Sequence, residues 1–228
     1  MNSTGIVVNR RTLLGGIAGA ASSIAASAKA AQRQDKPAGP TDRRGRPGPR
    51  NLITDVAGIK VGQADDPRVR TGVTVIVPEK ESTAAVDVRG GGPGTRETDA
   101  LNAYNLVHAA DAIVLSGGSV YGLAAADGVA SWLGARGRGY MAVPTPGVPR
   151  SPIVPAAILF DLANGGDKNW GLDPPYRSLG MKAIENASDA FALGTAGAGY
   201  GASAGSLKGG TGSASVVTFD EITVGAIV

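Results

Sequence analysis

The protein has 228 residues, of which 43% are hydrophobic, 4% are aromatic and 35 residues are glycine. This length suits a single domain, and its core must be built mainly from aliphatic side chains packed close to the backbone. The chain has no cysteine and one histidine. This composition excludes disulfides, a thiol nucleophile, cysteine-based zinc or iron–sulfur sites and multi-histidine metal sites. We therefore expect neither a metal nor another cofactor.

The first 30 residues are typical of an export signal. Arg10 and Arg11 precede a weakly apolar run from Leu13 to about residue 28, and Ala28-Lys29-Ala30 has the A-x-A cleavage pattern. An arginine pair before such a run indicates the twin-arginine (Tat) pathway, which exports folded proteins. The alternative is an uncleaved or lipidated anchor, but the run is short and glycine-rich for crossing ~30 Å of hydrocarbon. We predict a periplasmic or secreted protein without a stable membrane span.

The net charge of +3 originates in the N-terminal segments. Residues 1–30 contain three basic and no acidic residues, and residues 31–50 contain six basic and two acidic residues, which leaves residues 51–228 with thirteen basic and seventeen acidic residues. A nucleic-acid-binding surface needs clustered Lys and Arg on the folded part, so no nucleic-acid partner is predicted. The Pro-, Gly- and Arg-rich segment 31–50 is predicted to be a disordered linker.

Residues 51–228 alternate between strand and helix patterns. Strands are predicted at 52–61, 71–77, 83–88, 112–115, 141–144, 213–219 and 222–228, and helices at 98–109, 119–133 and 178–193. A further apolar run, 153–160, ends at Asp161. Because several strands are adjacent in sequence, the pattern favours a layered α/β sandwich over a doubly wound sheet. The last strand has no polar tail or cap, so we expect either that the chain is a fragment or that the protein continues beyond Val228.

Two glycine-containing segments could line a site. Gly90–Gly94 precedes a predicted helix, and its backbone N–H groups could bind an anion, although tight-turn packing is the alternative. Ser116–Gly122 lies between a strand and a helix and resembles a nucleophile elbow without the G-x-S-x-G spacing. Ser119 is therefore interpreted as a helix N-cap rather than a nucleophile, in a loop that could form a pocket wall.

Two single residues are also candidates for chemistry. His108 lies near the predicted end of a helix and three residues before Asp111, and it is interpreted as structural rather than as part of a triad. Lys208 opens the glycine-rich segment Lys208–Ser215. It is either a solvated surface residue or a cation aimed at a reacting oxygen.

Taken together, the motifs resemble the self-processing family of L-aminopeptidase/D-esterases, β-peptidyl aminopeptidases and nylon-oligomer endo-hydrolases. Each motif alone is a weak signal, but six of them in order are strong. They cover most of residues 51–228: Asn51–Gly62, Arg89–Asp99, Leu115–Leu123, Pro152–Asp161, Lys208–Ser215 and Thr223-Val224-Gly225.

The resemblance implies a four-layer αββα sandwich of the N-terminal-nucleophile type, related to the ornithine acetyltransferase fold, and self-cleavage into two subunits. The nucleophile would be the Ser or Thr at the new N-terminus of the second subunit, whose α-amine, with a pKa of about 7.7–8.0, can act as general base. In the family this residue and the oxyanion-hole Asn follow the strand that begins at Thr223, beyond Val228. Residues 51–228 would then be the first part of one amidase domain. Its partner would be its own downstream subunit, in what we expect to be a homo-oligomer.

The resemblance also implies roles for individual residues. Lys208 matches the family lysine and is expected to orient or polarise groups near the nucleophile. Aminopeptidase members carry an acid and a Tyr after the Pro-x-Val element, where this chain has Pro155, Ala156 and Phe160. We therefore expect a peptide or other amide substrate without strict aminopeptidase specificity, closer to the endo-acting branch. The expected substrate-binding residues are Gly117, Gly118, Ser119, Tyr121 and Phe160.

Two other functions remain open. One is a non-catalytic secreted binding protein on the same fold, and the other is an acyltransferase of the related ornithine acetyltransferase fold. Export argues against acyl transfer, because acetyl transfer in amino-acid biosynthesis is cytoplasmic. A Gly or Asn followed by a Ser or Thr beyond Val228 would favour the hydrolase.

Overall fold

The computed structural model of the protein describes residues 45–228. The predicted export signal, 1–30, and residues 31–44 of the predicted linker lie outside the described residues. Two α-helices, α1 (Ala125–Gly134) and α2 (Tyr176–Glu185), are accompanied by 3-10 helices at Ile53–Asp55, Asp99–Leu101, Ser119–Ala124 and Gly197–Gly199. The strands are β1 (Arg46–Pro47), β2 (Ile59–Asp66), β3 (Thr71–Pro78), β4 (Ser82–Thr83), β5 (Thr95–Arg96), β6 (Ala109–Ala110), β7 (Ile113–Ser116), β8 (Ala156–Ile158), β9 (Ser203–Ala204), β10 (Leu207–Lys208), β11 (Ser213–Val217) and β12 (Thr223–Ile227).

A five-stranded sheet with the order β2-β3-β7-β8-β5 forms the centre of the described residues. Strands β7 and β8 are parallel, whereas the other neighbouring pairs are antiparallel. All eight residues of β3 are buried, so both faces of the sheet are covered. Alternate side chains of β3 point to opposite faces: Val73 and Val75 belong to the core shared with the helices, and Ile76 belongs to a second core.

Helices α1 and α2 cover one face of this sheet and pack closely because glycines lie at the contacts. A Cβ atom on Gly128 of α1 or Gly180 of α2 would come closer than 3.0 Å to a carbonyl oxygen of the other helix. Gly62 of β2 gives α2 the same close approach to the sheet. A larger side chain at any of these positions would push the layers apart.

A three-stranded sheet, β1-β11-β12, covers the other face of the central sheet. The core between the two sheets contains Ile53, Ile76 and Ile227, each at most 1% exposed. The order of layers is therefore helices, central sheet and second sheet, as expected for the predicted α/β sandwich. The second sheet also exposes four apolar residues on its outer face, in two directly opposed pairs, which we call the outer sheet face: Ala214, Val216, Val224 and Ala226.

The helix predicted at 98–109 is wrong, because a single 3-10 turn, Asp99–Leu101, forms there. The side-chain amides of Asn102 and Asn105 donate to the Asp99 carbonyl oxygen. They occupy the acceptor that a continuing helix would use. Leu106 is 87% exposed, so the segment also lacks the packed apolar face that stabilises short helices.

Several other elements are shorter than predicted. The strand predicted at 52–61 begins only at Ile59, because Ile53–Asp55 form a 3-10 helix. Only Ser82–Thr83 forms a strand in the region of 83–88, and 141–144 forms none. Pro144 removes a backbone donor from the latter segment, and Pro146 removes another just after it. The helix predicted at 119–133 begins as a 3-10 helix, and the one predicted at 178–193 is α2, which ends at Glu185.

Strand β1 lies within the segment 31–50 that is predicted to be a linker. Arg46 pairs with Val217 and Pro47 with Val216 in an antiparallel ladder. The Arg46 guanidinium also forms an ion pair with the Glu221 carboxylate at 2.6 Å. Within residues 45–228, no helix is long and apolar enough to cross a bilayer.

Candidate functional site

Strands β7 and β8 run parallel, and the turns that follow them meet at one edge of the central sheet. The Ser119 N–H donates to the Leu159 carbonyl oxygen, and the Leu159 N–H donates to the Ser116 carbonyl oxygen, both at 2.9 Å. In α/β proteins, ligands bind preferentially beyond the carboxyl ends of the strands. The two turns, 117–121 and 159–161, are therefore the candidate site, and we call them the joined turns.

The first turn requires glycine at two consecutive positions. Gly118 has a φ of 84°, and a Cβ atom there would overlap the ring of Tyr176. A Cβ atom on Gly117 would overlap the Asp161 carboxylate and the Thr71 hydroxyl. Only glycine lets the backbone lie this close to three side chains.

Ser119 is not the helix N-cap that its position predicts. Gly118 occupies the cap position of the 3-10 helix, and no side chain caps that helix. Ser119 is the first residue of the helix and has a φ of 52°. For a non-glycine residue this left-handed conformation costs about 1–2 kcal/mol, so the turn must be held by its surroundings.

His108 and Asp111 do not form a catalytic pair. His108 is exposed and lies outside any helix, and its carbonyl oxygen accepts a hydrogen bond from the Ala84 N–H at 3.1 Å. The Asp111 carboxylate, 4% exposed, accepts the Ile153 N–H at 2.9 Å. In residues 45–228, no group of three histidine or acidic side chains is placed to hold a metal ion.

Asp161 is not among the residues predicted to form the site. It lies in the second turn and binds the first through a hydrogen bond. It is 1% exposed. Its Oδ1 accepts the Gly118 N–H at 2.7 Å, and its Oδ2 accepts the Thr71 hydroxyl at 2.6 Å. The one sequence signal for it is its position directly after a buried apolar run, where a carboxylate must find hydrogen-bond donors.

Three aromatic rings connect the first turn to the core. Trp170 packs edge-to-face against Tyr121, with ring centroids 5.4 Å apart, and against Tyr176, at 5.9 Å. Burial raises the pKa of the Tyr176 hydroxyl to about 12, although the neighbouring Thr71 hydroxyl lowers it. Tyr176 is therefore a neutral phenol at physiological pH.

The joined turns expose apolar side chains. Tyr121 is 46% exposed, Val120 is 64% exposed, and Phe160, next to Leu159 of the second turn, is 61% exposed. Exposed apolar surface concentrated at one place is typical of a binding site. Two of these residues, Tyr121 and Phe160, are among those predicted to bind the substrate.

Lys208 is an exposed residue of the β9–β10 hairpin. Its ammonium group donates to the carbonyl oxygens of Gly199, at 3.1 Å, and Gly209, at 2.7 Å. Two residues beyond Gly199, a Cβ atom on Gly201 would lie 2.6 Å from Oδ2 of Asp161. The segment 199–201 therefore binds Lys208 at one end and lies near the Asp161 carboxylate at the other.

The segment Asn51–Asp55 begins the first of the matching motifs. It connects the start of the domain to β11 by hydrogen bonds. Asp55 accepts the Ser215 hydroxyl at 2.6 Å, and the Asn51 side-chain oxygen accepts the Ser215 N–H at 3.0 Å. Burial raises the pKa of Asp55, but hydrogen bonds from Ser215 and from two backbone N–H groups outweigh it, so the pKa lies below its ordinary value. We call this contact the clasp, and its role is structural.

The Gly90–Gly94 loop lies beside the second of the joined turns, and its first three glycines have open space around their Cβ positions. The Gly94 carbonyl oxygen accepts the Ile158 N–H at 2.9 Å, one residue before Leu159. Cβ atoms on Gly90, Gly91 and Gly92 would meet no atom within 4 Å. Tight packing within residues 45–228 therefore does not explain these glycines, although Gly90 has a left-handed φ of 97° that favours glycine.

Comparison with known proteins places these features in a family. Over 185 residues the chain is 48% identical to a Mycobacterium tuberculosis protein named as an uncharacterized aminopeptidase, Rv1333, over 78% of this chain and 52% of that protein. It is 34% identical over 161 residues to a 6-aminohexanoate-oligomer endohydrolase of Kocuria sp. (strain KY2), over 70% of this chain and 41% of that enzyme. The chain thus spans about half the length of these curated relatives.

The fold is similar to those of two solved proteins. A β-aminopeptidase from Burkholderia sp. matches with a TM-score of 0.62 and 26% identity, over 81% of this chain and 53% of that chain. The L-aminopeptidase D-Ala-esterase/amidase of Ochrobactrum anthropi, described as a variant of the Ntn hydrolase fold, matches with a TM-score of 0.61 and 25% identity, over 79% and 52%. These similarities confirm the predicted sandwich of the N-terminal-nucleophile type. Since residues 51–228 also match the sequence profile of peptidase family S58, the chain belongs to that family.

Proposed function

We propose that this chain is the supporting subunit of an exported, self-processing hydrolase that cleaves amide bonds in peptides or other amide oligomers. The observation that carries the proposal is the similarity of most of this chain to about half of an aminopeptidase and of a 6-aminohexanoate-oligomer endohydrolase. The nucleophile, a Ser or Thr released by self-cleavage, would belong to the half of those proteins that this chain does not span.

The outer sheet face supports a downstream subunit. Its four residues, Ala214, Val216, Val224 and Ala226, alternate with buried residues and are exposed on two neighbouring strands. An apolar sheet face of this kind is normally covered by another layer of secondary structure. Helices of the downstream subunit packed there would complete the four-layer αββα arrangement.

The joined turns support an apolar substrate segment. Tyr121 and Phe160 would contact it through their exposed rings. The positions where aminopeptidase relatives are expected to carry an acid are occupied by Pro155 and Ala156, both buried. A substrate that is held mainly by apolar contacts needs no free amine. The enzyme could therefore cleave amide bonds inside an oligomer as well as at its end.

The proposed reaction has two steps, the formation of an ester on the nucleophile and the hydrolysis of that ester. The hydroxyl of the nucleophile attacks the amide carbonyl carbon while the α-amine accepts the hydroxyl proton, and that proton passes to the leaving amine as the C–N bond breaks. Water then attacks the resulting ester and releases the acid, regenerating the hydroxyl. Lys208, whose ammonium group is held by the Gly199 and Gly209 carbonyl oxygens, would stabilise negative charge that develops near the nucleophile.

The test uses the full-length protein, including the residues that follow Val228. A denaturing gel and intact masses should show two polypeptides, and the purified protein should hydrolyse L-alanine p-nitroanilide or a linear 6-aminohexanoate oligomer. A variant with alanine at the new N-terminus should remain one chain, and residues 1–228 alone should be inactive. A single uncleaved chain that hydrolyses neither probe would favour the binding-protein alternative.

A further inference from the structure

We propose that Asp161 is a positioning residue of this site: it fixes the backbone of Gly117–Ser119, so that the joined turns present one rigid wall to the substrate. The geometry stands on its own, whereas the identity of the substrate rests on the proposed function. Asp161 would act through the turn and would not touch the reacting atoms.

The Asp161 carboxylate forms hydrogen bonds with two elements that are distant in sequence. One carboxylate oxygen accepts the Gly118 N–H of the turn after β7, and the other accepts the Thr71 hydroxyl at the start of β3. The same second oxygen lies 2.6 Å from where a Cβ atom on Gly201 would be, in the segment that approaches Lys208. One buried side chain thus holds together the turn after β7, the start of β3 and the segment around Gly201.

The turn needs such an anchor because its conformation is unfavourable. Gly118 and Ser119 both have left-handed φ values, of 84° and 52°. The hydrogen bond from the Gly118 N–H to Asp161 is buried. Removing the carboxylate would leave a buried donor without its partner and let the strained turn relax.

Asp111 provides a matched control at the opposite end of the same pair of strands. It is also buried, at 4% exposure, and its carboxylate also accepts a backbone N–H, that of Ile153, at 2.9 Å. Neither Asp111 nor Ile153 has a left-handed φ, and neither belongs to the joined turns. Substituting Asp111 therefore reproduces the loss of a buried carboxylate without disturbing the candidate site.

The experiment compares Asp161→Ala, Asp161→Asn and Asp111→Ala in the full-length protein, with a linear 6-aminohexanoate oligomer as the probe and L-alanine p-nitroanilide as a second probe. Asp161→Ala should raise KM about tenfold or more and lower kcat by a smaller factor, since the wall binds the substrate rather than the transition state alone. Asp161→Asn keeps an acceptor for the Gly118 N–H and should stay within about threefold of the parent KM. Asp111→Ala should lower thermal stability but leave KM unchanged.

A second measurement does not depend on hydrolysis. Hydrogen–deuterium exchange should become faster in peptides covering 115–123 of Asp161→Ala. It should become faster by a smaller factor in Asp161→Asn, which keeps an acceptor for the Gly118 N–H but loses the oxygen that accepts the Thr71 hydroxyl. It should not change in the Asp111 variant. This result would support the positioning role even if neither amide probe were cleaved and the proposed function failed. If Asp161→Ala does not fold, the comparison of Asp161→Asn with Asp111→Asn by exchange decides the matter. Unchanged exchange at 115–123, or equal KM changes for the two aspartates, would overturn the inference.

Discussion

Replacing Gly118 by alanine should destabilise the protein strongly, because two independent costs meet at this position. The residue has a φ of 84°, and alanine in the left-handed region costs about 1–2 kcal/mol. The new methyl group would also overlap the ring of Tyr176, which is fully buried in the core. Overpacking of this kind costs about 1–3 kcal/mol.

The sum is a loss of about 2–5 kcal/mol in the free energy of unfolding. With a denaturant dependence of about 1–3 kcal/mol per molar urea, the unfolding midpoint should fall by about 1 M or more. Gly91→Ala is the matched control, since Gly91 has no left-handed φ and no atom lies within 4 Å of its Cβ position. That variant should stay within about 1 kcal/mol of the parent. Equal midpoints for the Gly118 variant and the parent would refute the description of this turn.

Three further predictions concern other parts of the chain. Lys208→Ala, and equally Lys208→Met, should slow self-cleavage or amide turnover by about 10²–10³-fold, and parent rates would instead identify Lys208 as a solvated surface residue. Changing Arg10 and Arg11 to Lys should keep the protein in the cytoplasm on cell fractionation, and normal delivery to the periplasm would exclude Tat export. The folded-state pKa of Asp55 lies below its unfolded value, so its stabilisation is present above about pH 4 and lost as the pH falls further. Asp55→Asn should therefore show a flatter fall in thermal midpoint below about pH 4 than the parent, and identical acid profiles would contradict this.

The strands were the part of the fold most open to prediction from sequence. The β-branched run Thr71 to Val77 becomes β3, Thr71–Pro78, almost residue for residue, because a continuous apolar run of that length fits a strand buried on both faces. The helix predicted at 98–109 failed for a local reason. Asn102 and Asn105 compete for the Asp99 carbonyl oxygen, and Leu106 is exposed rather than packed against the core.

The candidate site could be predicted only where its residues are adjacent in sequence. Gly117 and Gly118 stand between a strand and a helix, so their place in a turn is visible in the sequence. Asp161 is different, because its partners Gly118 and Thr71 are 43 and 90 residues away. No local pattern records a contact of that range, and only the arrangement of β3, β7 and β8 brings these three residues together.

The clasp has a consequence for the order of events during synthesis. Asp55 and Ser215 are 160 residues apart, so at about 5–20 residues per second the ribosome needs roughly 8–30 s to supply the second partner after the first. Until then the Asp55 carboxylate stays hydrated and the edge of the domain near Ile53 stays open, because long-range contacts close last. We therefore expect nascent chains that lack β12, which ends at Ile227, to remain sensitive to protease near Ile53, and this region to become resistant only when β11 and β12 have emerged from the ribosome.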